Sequence, residues 1–283
     1  MNNKFTNNTL ILILFWVTSL CSANIANAQL IKTYSVNSSS MAQIETWADK
    51  DTIIFITLDN TLTIPNSLMF SYNSEANRTF IQNLASLGKQ MPAYNKIIAT
   101  WYQQRKIKLV EPQWAGLITR LKAKGATVYA LCSMPIELVN IEEKRYKELK
   151  DLGIILTSTV NQKEKLQIGK NSSWPARFYK GIIFTAEGGP SIALMEFLKI
   201  TNISVKKMAI IGNIEYKLKE LEQILRTFDM EYYNILYLGA RELATNPDPE
   251  LIKFQQQELV NNGVWMEDAA ALRARAARLN PAQ

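Results

Sequence analysis

The stretch FITLDNTLTI, residues 55–64, decides the fold: an apolar run closes on Asp59, and Asn60, Thr61, Leu62 and Thr63 follow. The whole run, residues 52–58 (TIIFITL), has no polar alternation, which is the pattern of a strand buried on both faces. Similar runs recur at residues 127–131 (TVYAL), 181–185 (GIIFT), 208–211 (MAII) and 234–238 (NILYL). Helical patterns lie between them. Residues 111–124 (EPQWAGLITRLKAK) place Pro112 near the start, Trp114, Leu117, Ile118 and Leu121 at three-to-four spacing, and Gly125 as a stop. Residues 190–198 and 217–227 repeat that design. Strand and helix in alternation predict an α/β, three-layer Rossmann-like fold whose parallel sheet is covered on both faces by helices. Ligands of such sheets bind beyond the carboxyl ends of the strands, so Asp59 and the residues after the other runs are the ones to weigh.

Two stretches interrupt the alternation. Residues 66–110 predict a helical insertion after the first strand, ending in KIIATWYQQRKIKLV at 96–110. Trp101, Tyr102, Arg105, Lys106 and Lys108 could form an aromatic and basic lid over an anion. Alternatively Ile97, Ile98, Trp101 and Tyr102 make one apolar stripe with the cations at its solvent edge, and the spacing favours this reading. Residues 157–180 are polar and read as a hairpin or exposed loop. The α/β domain is thus expected over residues 47–260, with a helical tail over 261–283.

At the amino end, Lys4, the apolar residues 10–17 and the small residues Ala26 and Ala28 predict a secretory leader over residues 1–28. The expected setting is export, periplasmic or secreted, with no membrane span after cleavage. Cys132 would then be the sole cysteine, with no disulfide available to it. The net charge of +7 is spread along the chain, and KELK, KEK and RELA mix signs as a solvated surface does. A nucleic-acid partner, which needs a concentrated basic face, is not expected. The chain has no histidine, which excludes histidine-assisted hydrolysis and His-ligated zinc.

FITLDNTLTI resembles the first motif of the haloacid dehalogenase-like (HAD) superfamily, Asp-x-Asp-x-Thr after an apolar strand. Asp59, Thr61 and Leu62 fall where the second Asp, the Thr and the next apolar residue belong, and Thr57 stands in the place of the nucleophilic Asp. A register shifted by two, Asp59-x-Thr61-x-Thr63, is similar to that of ion-pumping ATPases and would make Asp59 the nucleophile. EPQWAGLITRLKAKGATVYALCSMP resembles the approach to the second motif, with Cys132 or Ser133 at the phosphate-binding position. GIIFTAEGGPSIALMEFL resembles the third-motif region of secreted bacterial HAD-like proteins of uncharacterised function, with Gly189, Pro190 and Ser191 where a Lys is usual. KKMAIIGNIEYKLKELEQI resembles the fourth motif, with Gly212 and Asn213 in place of the acidic pair that holds Mg²⁺. The likeness runs over roughly residues 47–270.

The resemblance implies a HAD-like fold whose catalytic positions are mostly replaced. Thr57 is a weak nucleophile without a histidine, and a β-branched residue closing a strand is the plainer reading. Asp59 is open to two readings, a surviving carboxylate of the site or a turn cap. Asn213 offers a metal a neutral oxygen but no charge. The expectation is therefore a non-catalytic protein that binds an anionic or phosphorylated small molecule, or a protein partner, with no cofactor. The alternative is a phosphatase working through Asp59 with Thr57 and Thr61, with Mg²⁺ held by Asp59 and Asn213 and the phosphate by Cys132, Ser133 and Ser191.

Overall fold

At the centre of the sheet lies β2 (Thr52–Thr57), whose residues take turns facing two separate cores. Ile54 and Ile56 belong to one, Ile53 and Phe55 to the other. That alternation on a strand buried on both sides is what places helices above and below it. The computed structural model describes residues 30–70, 75–86, 92–134, 140–169, 175–185, 188–243 and 247–279. The leader expected over residues 1–28 lies outside them.

The chain runs β1 (Ile31–Thr33), α1 (Ser39–Trp47), β2, then a short β3 (Thr63–Pro65). The insertion carries α2 (Glu75–Ser86) and α3 (Pro92–Gln104) and returns through β4 (Ile107–Leu109). Next come α4 (Gln113–Ala123), β5 (Thr127–Cys132), α5 (Ile141–Asp151), β6 (Lys165–Ile168), β7 (Ala176–Tyr179) and β8 (Ile182–Phe184). The last part holds α6 (Gly189–Thr201), β9 (Lys207–Gly212), α7 (Glu215–Leu225), β10 (Glu231–Tyr237), α8 (Pro249–Gln257) and α9 (Asp268–Leu279).

The eight-stranded sheet has the order β1-β10-β9-β2-β5-β8-β7-β6. Strands β1 to β8 in that order are parallel, and β8-β7-β6 form an antiparallel meander at the edge. The protein is therefore a three-layer α/β fold with a mostly parallel sheet. From β2 the chain moves outward through β5 and β8, then crosses back to place β9 on the other side of β2. The order reverses between β2 and β9, and at such a switch point the two outgoing loops diverge and leave a crevice. Asp59 and Asn213 stand at its two lips.

Helices α4 and α6 are each anchored by one apolar stripe. On α4, Trp114, Leu117, Ile118 and Leu121 are buried, and Gly125 ends it with φ at +91°, where an added Cβ would press on the Lys50 backbone. On α6, Ala193, Leu194 and Phe197 face Phe55, Tyr129 and Phe178. No helix among the described residues is long and apolar enough to cross a membrane.

The carboxyl-terminal segment is sewn to the insertion. Gln104 accepts from the Trp265 amide at 2.7 Å and donates to the Gly263 carbonyl at 3.1 Å, and the Lys106 amide donates to Glu267 at 2.9 Å. Asp268 accepts from Ser67 Oγ at 2.6 Å, the Leu68 amide at 2.9 Å and the buried Gln255 at 2.9 Å. Replacing Asp268 with Ala strands these donors, so the urea midpoint should fall by the equivalent of about 1–3 kcal/mol. A midpoint unchanged within error would show that the clamp contributes nothing.

Candidate active site

The loop after β2 turns back at once. The Leu62 and Thr63 amides both donate to the Leu58 carbonyl at 3.0 Å, and Asn60 takes a left-handed φ of 61°. Asparagine tolerates that conformation better than most residues. The turn sends the Asp59 side chain toward the crevice. Its carboxylate does not cap the turn: it accepts from Arg145 Nη2 at 2.8 Å, with Arg105 Nη2 3.5 Å away.

Thr57, Thr61 and Asn213 also meet here. The Thr57 and Thr61 hydroxyl oxygens are 2.6 Å apart, and Thr57 Oγ1 donates to Asn213 Oδ1 at 3.4 Å. Thr57 has one proton to give. With it committed to Asn213, Thr61 is the donor in the other contact, and the result is a neutral chain of hydroxyls ending on an amide. Gly212 permits this closeness, because a Cβ there would lie 3.1 Å from Thr57 Cγ2 and 3.2 Å from Leu218 Cδ2.

A cavity of about 320 Å³ opens over these residues. Thr57, Asp59, Asn213 and Ser133 contribute polar groups, Arg105 and Lys217 contribute positive charge, and Leu58, Leu131, Pro190 and Leu218 are among its apolar walls. Cys132 and Ser191 are not among its lining residues. Strand alternation turns Cys132 away from its neighbours Leu131 and Ser133 into the opposite core, where it is fully buried. Burial, with Asp59 adding to it, pushes that thiol up to about 12. Ser191 lies on the first turn of α6, with Oγ 3.5 Å from Glu220.

The insertion departs from the apolar-stripe reading at one residue. Ile97, Ile98 and Trp101 are buried as that reading requires, but Arg105 is buried with them, its side chain only 3% exposed. The β3–β4 ribbon explains this. Thr63 pairs with Leu109 and Pro65 with Ile107, and the Asn66 amide donates to Lys106, so the exit of α3 is pinned beside the Asp59 loop. The Arg105 guanidinium carbon sits 4.4 Å from the Trp101 ring centre and 4.5 Å from that of Tyr102, within cation–π range.

Nothing in the sequence motifs marks Arg145 on α5 as a site residue, and the KELK setting of Glu148 reads as solvated surface. Arg145 is 1% exposed and bonds both Asp59 and Glu148 at 2.8 Å. Burial works against its charge, but Asp59 and Glu148 outweigh burial and hold the guanidinium above its ordinary range. Arg105 goes the other way, lowered by burial and then by Arg145. One signal could have found both arginines. Ile141, Arg145 and Leu149 repeat at four-residue spacing, as do Ile97, Trp101 and Arg105, so each arginine continues an apolar stripe.

A divalent cation of the Mg²⁺ type needs several hard oxygens, and carboxylates supply most of the attraction. Among the described residues no three Asp, Glu or Cys side chains converge in a way that could hold a metal. Asp59 is the carboxylate lining this cavity, and two guanidinium groups stand against it. This donor set does not fit such an ion.

The sequence profile of a family described as protein of unknown function (DUF2608) matches residues 35–271. An uncharacterized protein of Rickettsia prowazekii (strain Madrid E) is 37% identical over 247 residues, which span 86% of this chain and 90% of that protein. A crystal structure of a class C acid phosphatase from Bacillus anthracis with tungstate bound is similar over 80% of this chain and 85% of its own, at 12% identity and a TM-score of 0.34.

Proposed function

The chain belongs to the DUF2608 family, and from that premise we propose that it is a HAD-like protein that has given up metal-dependent phosphoryl transfer and uses the strand-end cavity to bind an anion. One observation carries this reading: Asp59 is engaged by Arg145 at 2.8 Å with Arg105 at 3.5 Å. In a phosphoaspartate mechanism a carboxylate at this place works beside a divalent cation that neutralises the phosphoryl oxygens. Here fixed guanidinium charge occupies the neighbourhood of that carboxylate, and like charges would oppose an added cation.

Supporting details point the same way. The hydroxyl of Thr57 shares its hydrogen bonds with Thr61 and Asn213; among the described residues no carboxylate bonds it to take its proton, and the chain has no imidazole. The HAD resemblance of the motifs agrees with the position of Asp59 after the central strand. In the same reading the protein is exported, which the leader-like pattern of residues 1–28 supports.

The test is hydrolysis of p-nitrophenyl phosphate by the purified chain with and without Mg²⁺, with Asp59→Asn as the comparison. The expected result is equal background rates for both proteins in both buffers. Magnesium-dependent turnover that Asp59→Asn abolishes would establish the alternative, a phosphatase using Asp59.

A further inference from the structure

Behind the cavity lies one ion-pair network. Arg145 joins Asp59 and Glu148, Arg105 stands against Asp59, and Lys144 lies 3.1 Å from Glu148. Three cations thus share two carboxylates, and the network holds one positive charge in excess. Water screens that excess poorly, because Arg105 and Arg145 side chains are 3% and 1% exposed.

Arg105 is the member left short. Its Nε and Nη2 make no hydrogen bond, so its approach to Asp59 is an ion pair without one. Leaving buried donors of a charged group unmatched is costly. The Nε/Nη2 edge is also the one that grips a carboxylate two-handed: Arg120 in this protein holds the two oxygens of Glu45 that way, at 2.7 and 3.0 Å. Arg105 lines the cavity, whose walls include the apolar Leu58, Leu131, Pro190 and Leu218.

We propose that the cavity takes a small organic carboxylate, a monoanion with an apolar body, whose two oxygens are held by Arg105. The proposal rests on the non-catalytic reading above. The edge is shielded from water in this conformation, so the guanidinium turns from Asp59 toward the cavity as the ligand enters. The 3.5 Å contact is then exchanged for a bidentate one, and the excess charge is neutralised. A carboxylate presents two oxygens in one plane, which match the two donors of the Nε/Nη2 edge, and its single negative charge equals the excess of the network behind Arg105. The volume of about 320 Å³ lies at the small end of ligand sites.

The experiment is calorimetric titration of the full chain with acetate, hexanoate, phenylacetate, the neutral isostere phenylacetamide, and phenyl phosphate, with phosphate release followed in parallel. Hexanoate or phenylacetate should bind at least about tenfold more tightly than both phenylacetamide and phenyl phosphate, and Arg105→Gln should lose that preference. The ligand comparison on the unaltered protein stands even if the variant fails to fold. Equal binding of acid and amide, tighter binding of phenyl phosphate without its hydrolysis, or no heat from any carboxylate at millimolar concentration overturns this proposal alone. Magnesium-dependent release of phosphate from phenyl phosphate overturns the non-catalytic reading and this proposal with it.

Discussion

Arg145→Ala should destabilise the folded chain by about 3–5 kcal/mol, read as a lower urea midpoint. The side chain is 1% exposed and joins Asp59 and Glu148, each at 2.8 Å. Truncation removes two charge-assisted hydrogen bonds at once and leaves a void where the fully buried side chain stood, and both losses fall on the folded state. Among the described residues Glu148, 13% exposed, then keeps Lys144, and Asp59, 34% exposed, keeps the weaker Arg105 contact. The double variant Arg145→Ala/Asp59→Asn should recover part of the loss, and the size of the recovery measures the coupling. An Arg145→Ala protein as stable as the parent would mean that water reaches and solvates the cluster, and the argument against a bound cation would lose its footing.

Phe197→Ala should cost a similar amount, about 3–5 kcal/mol, through a different mechanism. Phe197 is fully buried on α6 between β2, β5 and β7: its ring stacks on Phe178 at 5.7 Å and meets Tyr129 at 5.7 Å and Phe55 at 6.2 Å, edge to face in both cases. Truncation removes the apolar burial, opens a cavity between rings that cannot collapse together, and breaks three aromatic contacts. Phe197→Leu should recover much of it. A loss below about 1 kcal/mol for the Ala variant would imply that α6 repacks freely, against the close packing of such cores.

The two variants sort what sequence can reveal. Phe197 lies in a legible element: residues 190–198 read as a helix, and α6 spans Gly189–Thr201. The helix expected at 111–124 is α4, Gln113–Ala123, and the one expected at 217–227 is α7, Glu215–Leu225. The runs read as strands at 52–58, 127–131 and 208–211 became β2, β5 and β9. Apolar periodicity is enough here because it encodes which face of an element must leave water, and that is a local property. The polar stretch 157–180, which reads as a hairpin or exposed loop, is a hairpin: β6 and β7 pair antiparallel in the meander at the sheet edge. Both strands alternate, with Lys165 and Arg177 on the exposed side and Ile168, Ala176 and Phe178 buried.

Of the candidate site, Asp59, Thr57, Thr61, Ser133 and Asn213 do gather at the strand ends, while Cys132, buried behind the Asp59–Arg145 pair, and Ser191 do not line the cavity. A residue's position after a strand fixes that it is near the crevice. Which way its side chain turns depends on the pleat and on the next turn of chain.

The amino-acid sequence by itself determined the parallel sheet, its covering helices and the place of Asp59 just beyond the central strand, because burial patterns are written residue by residue. Only the tertiary structure decided what Asp59 meets. Arg145 lies 86 residues away along the chain, and Arg105 arrives on an insertion pinned by the β3–β4 ribbon. Ion pairing acts over a few ångströms of space, and a cation inside an apolar stripe shows its purpose only when the fold sets a carboxylate in front of it.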